Sequence, residues 1–330
     1  MDPLSHIVCG AAIVTLAQGQ HRRPGVAMAA MLGGVAPDVD ALLMPAGWDI
    51  YLRAHEIGTH SVLGCIATAC ASAALVRASI RGSRYRTLLA GGSIGALSHL
   101  ALDLLCGGRL RVVWPLLDAR ISVPLVAMAD PWLVAIFSSG ALALWIARRQ
   151  PRSASLCTIA TAAAFLAVKG IGLERALATW SGGPGIDHVA DRVVEARWSS
   201  LSQWYVFDRT PEALRQWLLD SRGDAPRLLL TWPITVEPPL VRRSRSLTTV
   251  RNFLRVHGLG FAVEREEGSD TRVLWSDLRY CRPGIFPADT PGRAEIACDL
   301  WFGGRFSAGG NPLIEIVQVG GWLQTRRVGQ

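Results

Sequence analysis

The chain has 330 residues, half of them hydrophobic, and a formal net charge of +8. That length accommodates two domains. The positive charge carries no nucleic-acid signature: Lys169 is the one lysine among 34 basic residues, and no basic run is interleaved with aromatics as a base-stacking surface requires. No CxxC pair occurs among the seven cysteines, which argues against a cysteine zinc site, and no nucleic-acid partner is expected.

Hydrophobicity divides the chain. Apolar segments run over residues 4–20, 24–44, 61–76, 87–107, 121–147 and 153–173. Several keep fewer uncharged residues than the ~20 of a full membrane span. The first segment lacks the basic start of a signal peptide. We read six membrane helices, some short or tilted, with a soluble alanine-rich bundle as the alternative. Five cysteines (Cys9, Cys65, Cys70, Cys106, Cys157) fall in these stretches, as buried thiols do.

Arginines orient the bundle. The connections after segments one, three and five hold Arg22, Arg23, Arg77, Arg81, Arg84, Arg86, Arg148, Arg149 and Arg152. Those after two and four hold Arg53, Arg109, Arg111 and Arg120. The positive-inside rule makes the first set cytoplasmic, so the amino terminus and everything beyond the sixth segment are expected outside.

Seven ionisable residues then fall on the outer side: His6, Asp38 and Asp40 in GGVAPDVDALL, His60, His99 and Asp103 in LSHLALDLL, and Asp130. Imidazoles and carboxylates are ligands for zinc and related divalent ions. His99 and Asp103 stand four apart, so a helix aims both at one ion. Asp38 and Asp40 follow Pro37, where a break lets both turn inward. Each has a plainer reading: a hydrogen-bonded His99–Asp103 pair, or Asp130 as a helix cap before Pro131.

RAHEIGTHSVL, residues 53–63, nearly spells the helical zinc-protease motif H-E-x-x-H, but His55 and His60 are five apart. At about 100° per residue they lie roughly 140° out of alignment. Gly58 between them weakens the helix further. Any chemistry here comes from a loop. His60 is then the expected ligand, His55 a weaker candidate, and Glu56 or Asp38 a candidate general base.

DPLSH, GGVAPDVDAL, HEIGTHSVL and LSHLALDLL followed by VVWPL resemble, in order and spacing, the LexA-binding, inner-membrane-associated hydrolase family. It is also described as membrane-bound metal-dependent hydrolases, or domain of unknown function 457. The resemblance covers residues 1–175, and VRNFLRV and WSDLRY look like the tail of longer members. It implies a metal site at His6, Asp38, Asp40, His60, His99 and Asp103. Glu56 stands where the family usually has arginine, and Ile57 where it has glycine, so an anion-binding charge is missing or supplied by Arg53. A looser similarity to zinc-dependent phospholipase C follows the order His6, Asp40, His60, His99, Asp103 and implies phosphoester hydrolysis.

After SGGPG near residue 181 the pattern changes. WSSLSQWYVF, RLLLTWPITV, LTTVRNFLRV, FAVERE, TRVLWSDLRY, AEIACDLWF and LIEIVQV read as strands, and PEALRQWLLD as a short helix. Cys281 and Cys298 can pair in an oxidising compartment. Arg251, Asp277 and Arg279 are either headgroup contacts or structural ion pairs. Trp198, Trp204, Trp232 and Trp301 are either interfacial or core. His21, His188 and His257 read as surface residues.

The expectation is an α-helical membrane bundle of about six helices over 1–180, followed by a mostly antiparallel β domain over 181–330 on the extracytoplasmic side of a bacterial inner membrane. Its function would be metal-dependent hydrolysis of an ester or phosphoester, lipid-derived or soluble, with zinc. The bilayer is the one partner implied. A scaffold with a structural metal site and an ion transporter are the competing readings; the transporter requires acidic groups near mid-membrane.

Overall fold

The computed structural model describes residues 2–18, 23, 25–55, 58–147, 149–180, 192–234, 236–281 and 298–328. Glu56, Ile57, His21, Arg22, Arg148 and His188 lie outside them. Contacts divide the chain into two compact units. One comprises Met1–Ala41, Ala54–Ala176 and Glu195–Trp204; the other comprises Leu42–Arg53, Leu177–Val194 and Tyr205–Gln330.

The six apolar segments form α1 (Pro3–Gln18), α2 (Val26–Val35) continued by a 3-10 helix (Ala36–Ala46), α4 (Val62–Ser79), α5 (Tyr85–Leu105), α6 (Pro131–Ile146) and α7 (Pro151–Trp180). Four stretches are long and apolar enough to cross a membrane: Val26–Ala46, Val62–Ser79, Tyr85–Leu105 and Pro151–Trp180. The expectation of about six helices is too low. The described residues hold nine α-helices, the further three being α3 (Trp48–His55), α8 (Pro239–Ser244) and α9 (Thr248–Val256). Residues 121–130, read as helix, instead return along a loop bridged at Cys106–Pro124 and Leu110–Ile121.

Local chemistry sets the helix starts. Ser61 caps α4 by accepting from the Gly64 N–H at 3.1 Å. Asp130 caps α6 by accepting from the Trp132 N–H at 3.0 Å, with Pro131 in the first turn. The capping alternative for Asp130 is therefore the observed one.

Small residues let the helices approach. A Cβ on Gly95 would lie 2.0 Å from the Ala30 carbonyl oxygen, and one on Gly33 2.3 Å from that of Gly92. These α2–α5 contacts are of the small-residue kind that membrane helices use, since lipid offers no hydrophobic drive to associate. The outward faces stay apolar: Ile66, Leu75, Leu142 and Val168 are all more than half exposed.

The second unit is β-rich. β1 (Arg192–Ala196), β2 (Gln203–Arg209), β3 (Ala213–Asp220) and β4 (Arg227–Pro233) form one sheet in sequential order. β5 (Gly260–Glu267), β6 (Asp270–Asp277), β7 (Leu300–Phe306), β8 (Pro312–Val319) and β9 (Trp322–Arg327) form an antiparallel meander. One face of the meander packs Phe261, Leu274, Trp301 and Ile316 with Phe207 and Leu214 of the first sheet. The other packs Trp275, Phe302 and Phe306 with Val250 and Phe253 of α9, and Trp48 and Leu52 of α3 join it. Asp49 of α3 is buried there, accepting from Asn252 at 2.8 Å and paired with Arg326.

Two segments exchange the expected structure. PEALRQWLLD supplies β3, paired to β4 with a bulge at Gln216/Trp217. LTTVRNFLRV supplies α9, whose first N–H groups at Thr248 and Thr249 donate to the Glu315 carboxylate. Thr-Thr-Val favours strand locally, but Val250, Phe253 and Leu254 repeat at helical spacing and bury one face.

Gly95→Ala should destabilise the helical unit by about 1–3 kcal/mol through overpacking. Gly321→Ala, where an added Cβ meets nothing within 4 Å, should stay within about 0.5 kcal/mol of the parent. Thermal unfolding in detergent compares the two.

Candidate metal centre

Four elements of the helical unit bring ionisable side chains together. The 3-10 helix after Pro37 carries Asp38 and Asp40, a loop ending at the α4 cap carries His60, and the last two turns of α5 carry His99 and Asp103. His6, in the second turn of α1, lies beside them.

The expected i,i+4 pair is present, with His99 Nε2 3.0 Å from Asp103 Oδ2. His60 Nε2 lies 3.1 Å from His99 Nε2, 3.4 Å from Asp103 Oδ2 and 3.4 Å from Asp38 Oδ1. Asp38 Oδ1 is 3.7 Å from His99 Nε2. Asp38, His60, His99 and Asp103 thus form one metal-competent group. Asp40, His55 and His60 form a second, so the two groups share His60.

Hydrogen bonds on the far side of each ring determine which nitrogen faces inward. His99 Nδ1 is 2.8 Å from the Gly34 carbonyl oxygen, which can only accept, so Nδ1 carries the proton. Thr59 Oγ1 donates to Asp40 Oδ2 at 2.9 Å and lies 3.1 Å from His60 Nδ1. Its hydroxyl proton being committed to Asp40, it accepts from His60 Nδ1–H. In both neutral rings Nε2 is then a bare acceptor. When both rings are neutral, four acceptor atoms converge with no proton among them, and either a cation or a proton on His60 must hold such a set together.

The spacing suits a small one. Zinc bonds to nitrogen and carboxylate oxygen are about 2.0–2.2 Å, which puts tetrahedral ligands about 3.3–3.5 Å apart. The five separations above run from 3.0 to 3.7 Å. The residues therefore fit a divalent ion, with donors of the type zinc takes.

The outer contacts match what metal-ligating histidines use. Gly34 orients His99; Asp40 and Thr59 orient His60. Asp40 also accepts from His55 Nδ1 at 3.0 Å, and its Oδ1, though buried, has no hydrogen-bond partner among the described residues. His6 stacks on His99 with ring centroids 3.8 Å apart, and its Nε2 lies 3.3 Å from Asp103 Oδ1, the oxygen turned away from the four-acceptor group. Gly34 and Thr59 were not legible as contributors: a backbone carbonyl has no sequence signature, and Thr59 showed only as a neighbour of His60.

Other singled-out residues lie elsewhere. Asp130 caps α6. Arg53 is exposed. Asp277 and Arg279 form a bidentate pair at 2.9 and 3.0 Å, which is the structural alternative, while Arg251 reaches the Thr248 hydroxyl. His257, expected at the surface, is buried with Nε2 2.8 Å from the Tyr280 hydroxyl.

His60 lies outside the apolar spans, and its titration follows from its neighbours. Burial opposes charging it, but the Asp103, Asp38 and Asp40 carboxylates outweigh burial and raise its pKa to about 11. With the folded value above the ordinary 6.5, the proton's stabilisation is full below pH 6.5 and lost as pH rises through about 11. An incoming divalent ion displaces this proton. Loading metal-free protein at pH 7 should therefore release about one proton per ion, seen by calorimetry in buffers of different ionisation enthalpy, and the affinity should rise with pH up to that limit.

A family model described as YdjM inner membrane protein matches residues 1–176, which include every residue of both metal-competent groups. No curated protein and no solved structure matches the chain. The match agrees with the inner-membrane part of the resemblance drawn from DPLSH, GGVAPDVDAL, HEIGTHSVL and LSHLALDLL, and with four apolar helices long enough to span. The chain belongs to the YdjM inner membrane protein family.

Proposed function

We propose that the protein is an integral membrane hydrolase in which His60, His99 and Asp103 hold a divalent ion, zinc by its donor set, and Asp38 is the general base. The observation that carries this is the convergence of four side-chain atoms that are all acceptors once His60 gives up its proton. A divalent ion held there would lower the pKa of water and polarise an ester or phosphoester oxygen.

The chain's own residues divide the labour by exposure. The side chains of His60, His99 and Asp103 are 0, 0 and 7 % exposed, whereas that of Asp38 is 24 % exposed and stands farthest from His99. Asp38 therefore sits at the open edge, where water and substrate enter. There it takes the proton from the attacking water as the new oxygen bond forms, and returns it to the leaving oxygen as the scissile bond breaks. Asp40, Thr59 and Gly34 hold the two imidazoles in the ligating tautomer.

On this reading the site and the β unit face the extracytoplasmic side. The arginine asymmetry supports that, as does the Cys281–Cys298 disulfide, a bond that persists in oxidising compartments. The bilayer is the partner, and the substrate is an ester or phosphoester of either lipid or soluble origin.

The second reading is a scaffold with a structural ion, favoured by one fact: Asp38 as a fourth protein ligand would close the coordination shell. Asp38→Asn separates the two. As a base, its loss leaves metal content intact and lowers turnover about 10²–10⁴-fold; as a closing ligand, its loss releases the metal. His99→Ala with Asp103→Ala should abolish metal content under either reading, and undiminished stoichiometric metal in that variant would refute the site. Elemental analysis paired with a screen of lipid and nucleotide phosphoesters makes the measurement.

A further inference from the structure

The first turn of α6 and a loop of the helical unit exchange tryptophans. Trp132 Nε1 donates to the Ser199 carbonyl at 3.1 Å, and Trp198 Nε1 donates to the Ala129 carbonyl at 3.2 Å. Ser199 and Ala129 both adopt left-handed backbone, φ 61° and 55°, which non-glycine residues seldom do. A third tryptophan, Trp204, donates to the Pro124 carbonyl at 3.1 Å. Lys169, the chain's sole lysine, donates to the Ser200 carbonyl at 2.9 Å with its ammonium 4.4 Å from the Trp204 ring centroid.

The clasp holds apolar surface outward. Trp132 is 46 % and Trp198 62 % exposed although their indole N–H groups are satisfied, and Met128 and Leu201 beside them are more than half exposed. Trp204 and Trp301 are buried and Trp232 is half-buried, so Trp198 alone of the four candidates presents its ring.

Helix register gives the depth of this lip. A Cβ on Gly140 would meet Thr158, so α6 and α7 pack here, and Asp130 is as far from Gly140 as Val168 is from Thr158. In antiparallel register the α6 cap lies level with Lys169. Below that level residues 153–168 of α7 carry no charge, and the last turn of α6 carries Trp145, 64 % exposed and four residues before Arg149. Tryptophans thus bracket α6, with the single lysine at one boundary and arginines at the other, as the interfaces of a bilayer select. The bracket is short: thirteen residues rise about 20 Å, against the roughly 30 Å of a hydrocarbon core.

We propose that the lip formed by Trp132, Trp198, Met128 and Leu201 lies in the headgroup region of the leaflet on the His/Asp side, with phospholipid as its partner, and that the bilayer thins there to meet it. The lip adjoins the metal centre: Leu125 and Val126 donate to the Leu105 carbonyl, two residues beyond Asp103. The lip lies at that depth whatever reaction, if any, the neighbouring centre performs.

Brominated phosphatidylcholine nanodiscs test it by tryptophan fluorescence. Subtracting the Trp132→Phe/Trp198→Phe variant from the parent isolates two of the twelve tryptophans. The difference signal should fall with bromines near the glycerol end, fall less with bromines near the methyl end, and resist aqueous iodide. A difference signal quenched by iodide and untouched by either lipid would overturn the proposal, as would stronger quenching by the deep bromines. Should the double variant fail to purify, Trp198→Phe alone gives the same comparison, because that ring is largely exposed and its loss disturbs little packing.

Discussion

The organisation of the helical unit follows from four lone pairs that face one another. His60 Nε2, His99 Nε2, Asp103 Oδ2 and Asp38 Oδ1 approach within 3.0–3.7 Å, with no donor among them when both rings are neutral. In an apolar bundle such a cluster is strongly repulsive unless a cation sits within it. Without metal, a proton on His60 supplies that charge, which is why three carboxylates raise its pKa so far. A divalent ion held there would find its charge balanced by Asp38 and Asp103. Asp40 keeps its charge on the outer side, where Thr59 and His55 serve it. His60 is the pivot: one nitrogen belongs to the centre and the other to the shell that orients it.

Glycine makes this convergence possible. A Cβ on Gly34 would lie 2.7 Å from the His6 carbonyl oxygen, so its absence lets α1 close on α2. The same residue's carbonyl fixes the tautomer of His99 on α5. One backbone position therefore sets both the distance between two helices and the nitrogen that a third presents. Gly33 and Gly95 extend the contact along α2 and α5, and the convergence of the acceptor atoms depends on that close packing.

What could be read in the sequence tracks how local its cause is. The His99–Asp103 pair is one helical turn, and the six apolar stretches are composition, so both were legible. The convergence of His60 with them was reached through the arginine asymmetry, which places helix ends without saying what touches. The difference between a ligand and its orienter was not legible: Asp40 and Asp38 stand two residues apart, and only the observed ring geometry assigns them to opposite nitrogens of His60. The two exchanged elements share that origin. Glu315, more than sixty residues away, holds the first N–H groups of α9, and pairing with β4 makes Ala213–Asp220 a strand. Tertiary partners overrode local preference in both.

Depth argues against transport. An ion path across the membrane needs its charged groups near the middle of the spans. Here Asp103 stands two residues before the end of Tyr85–Leu105, His60 two residues before the start of Val62–Ser79, and Asp38 and Asp40 follow the Pro37 break in the 3-10 part of Val26–Ala46. The acceptors gather at helix ends, beside the loop that carries Leu125 and Val126. A centre at that level can be reached from water or from a leaflet without opening the bundle. Asp38, the one acceptor of the four with an exposed edge, is also the one whose carboxylate can move without disturbing the inner three. That asymmetry is what a site needs if substrate is to enter and product to leave on the same side.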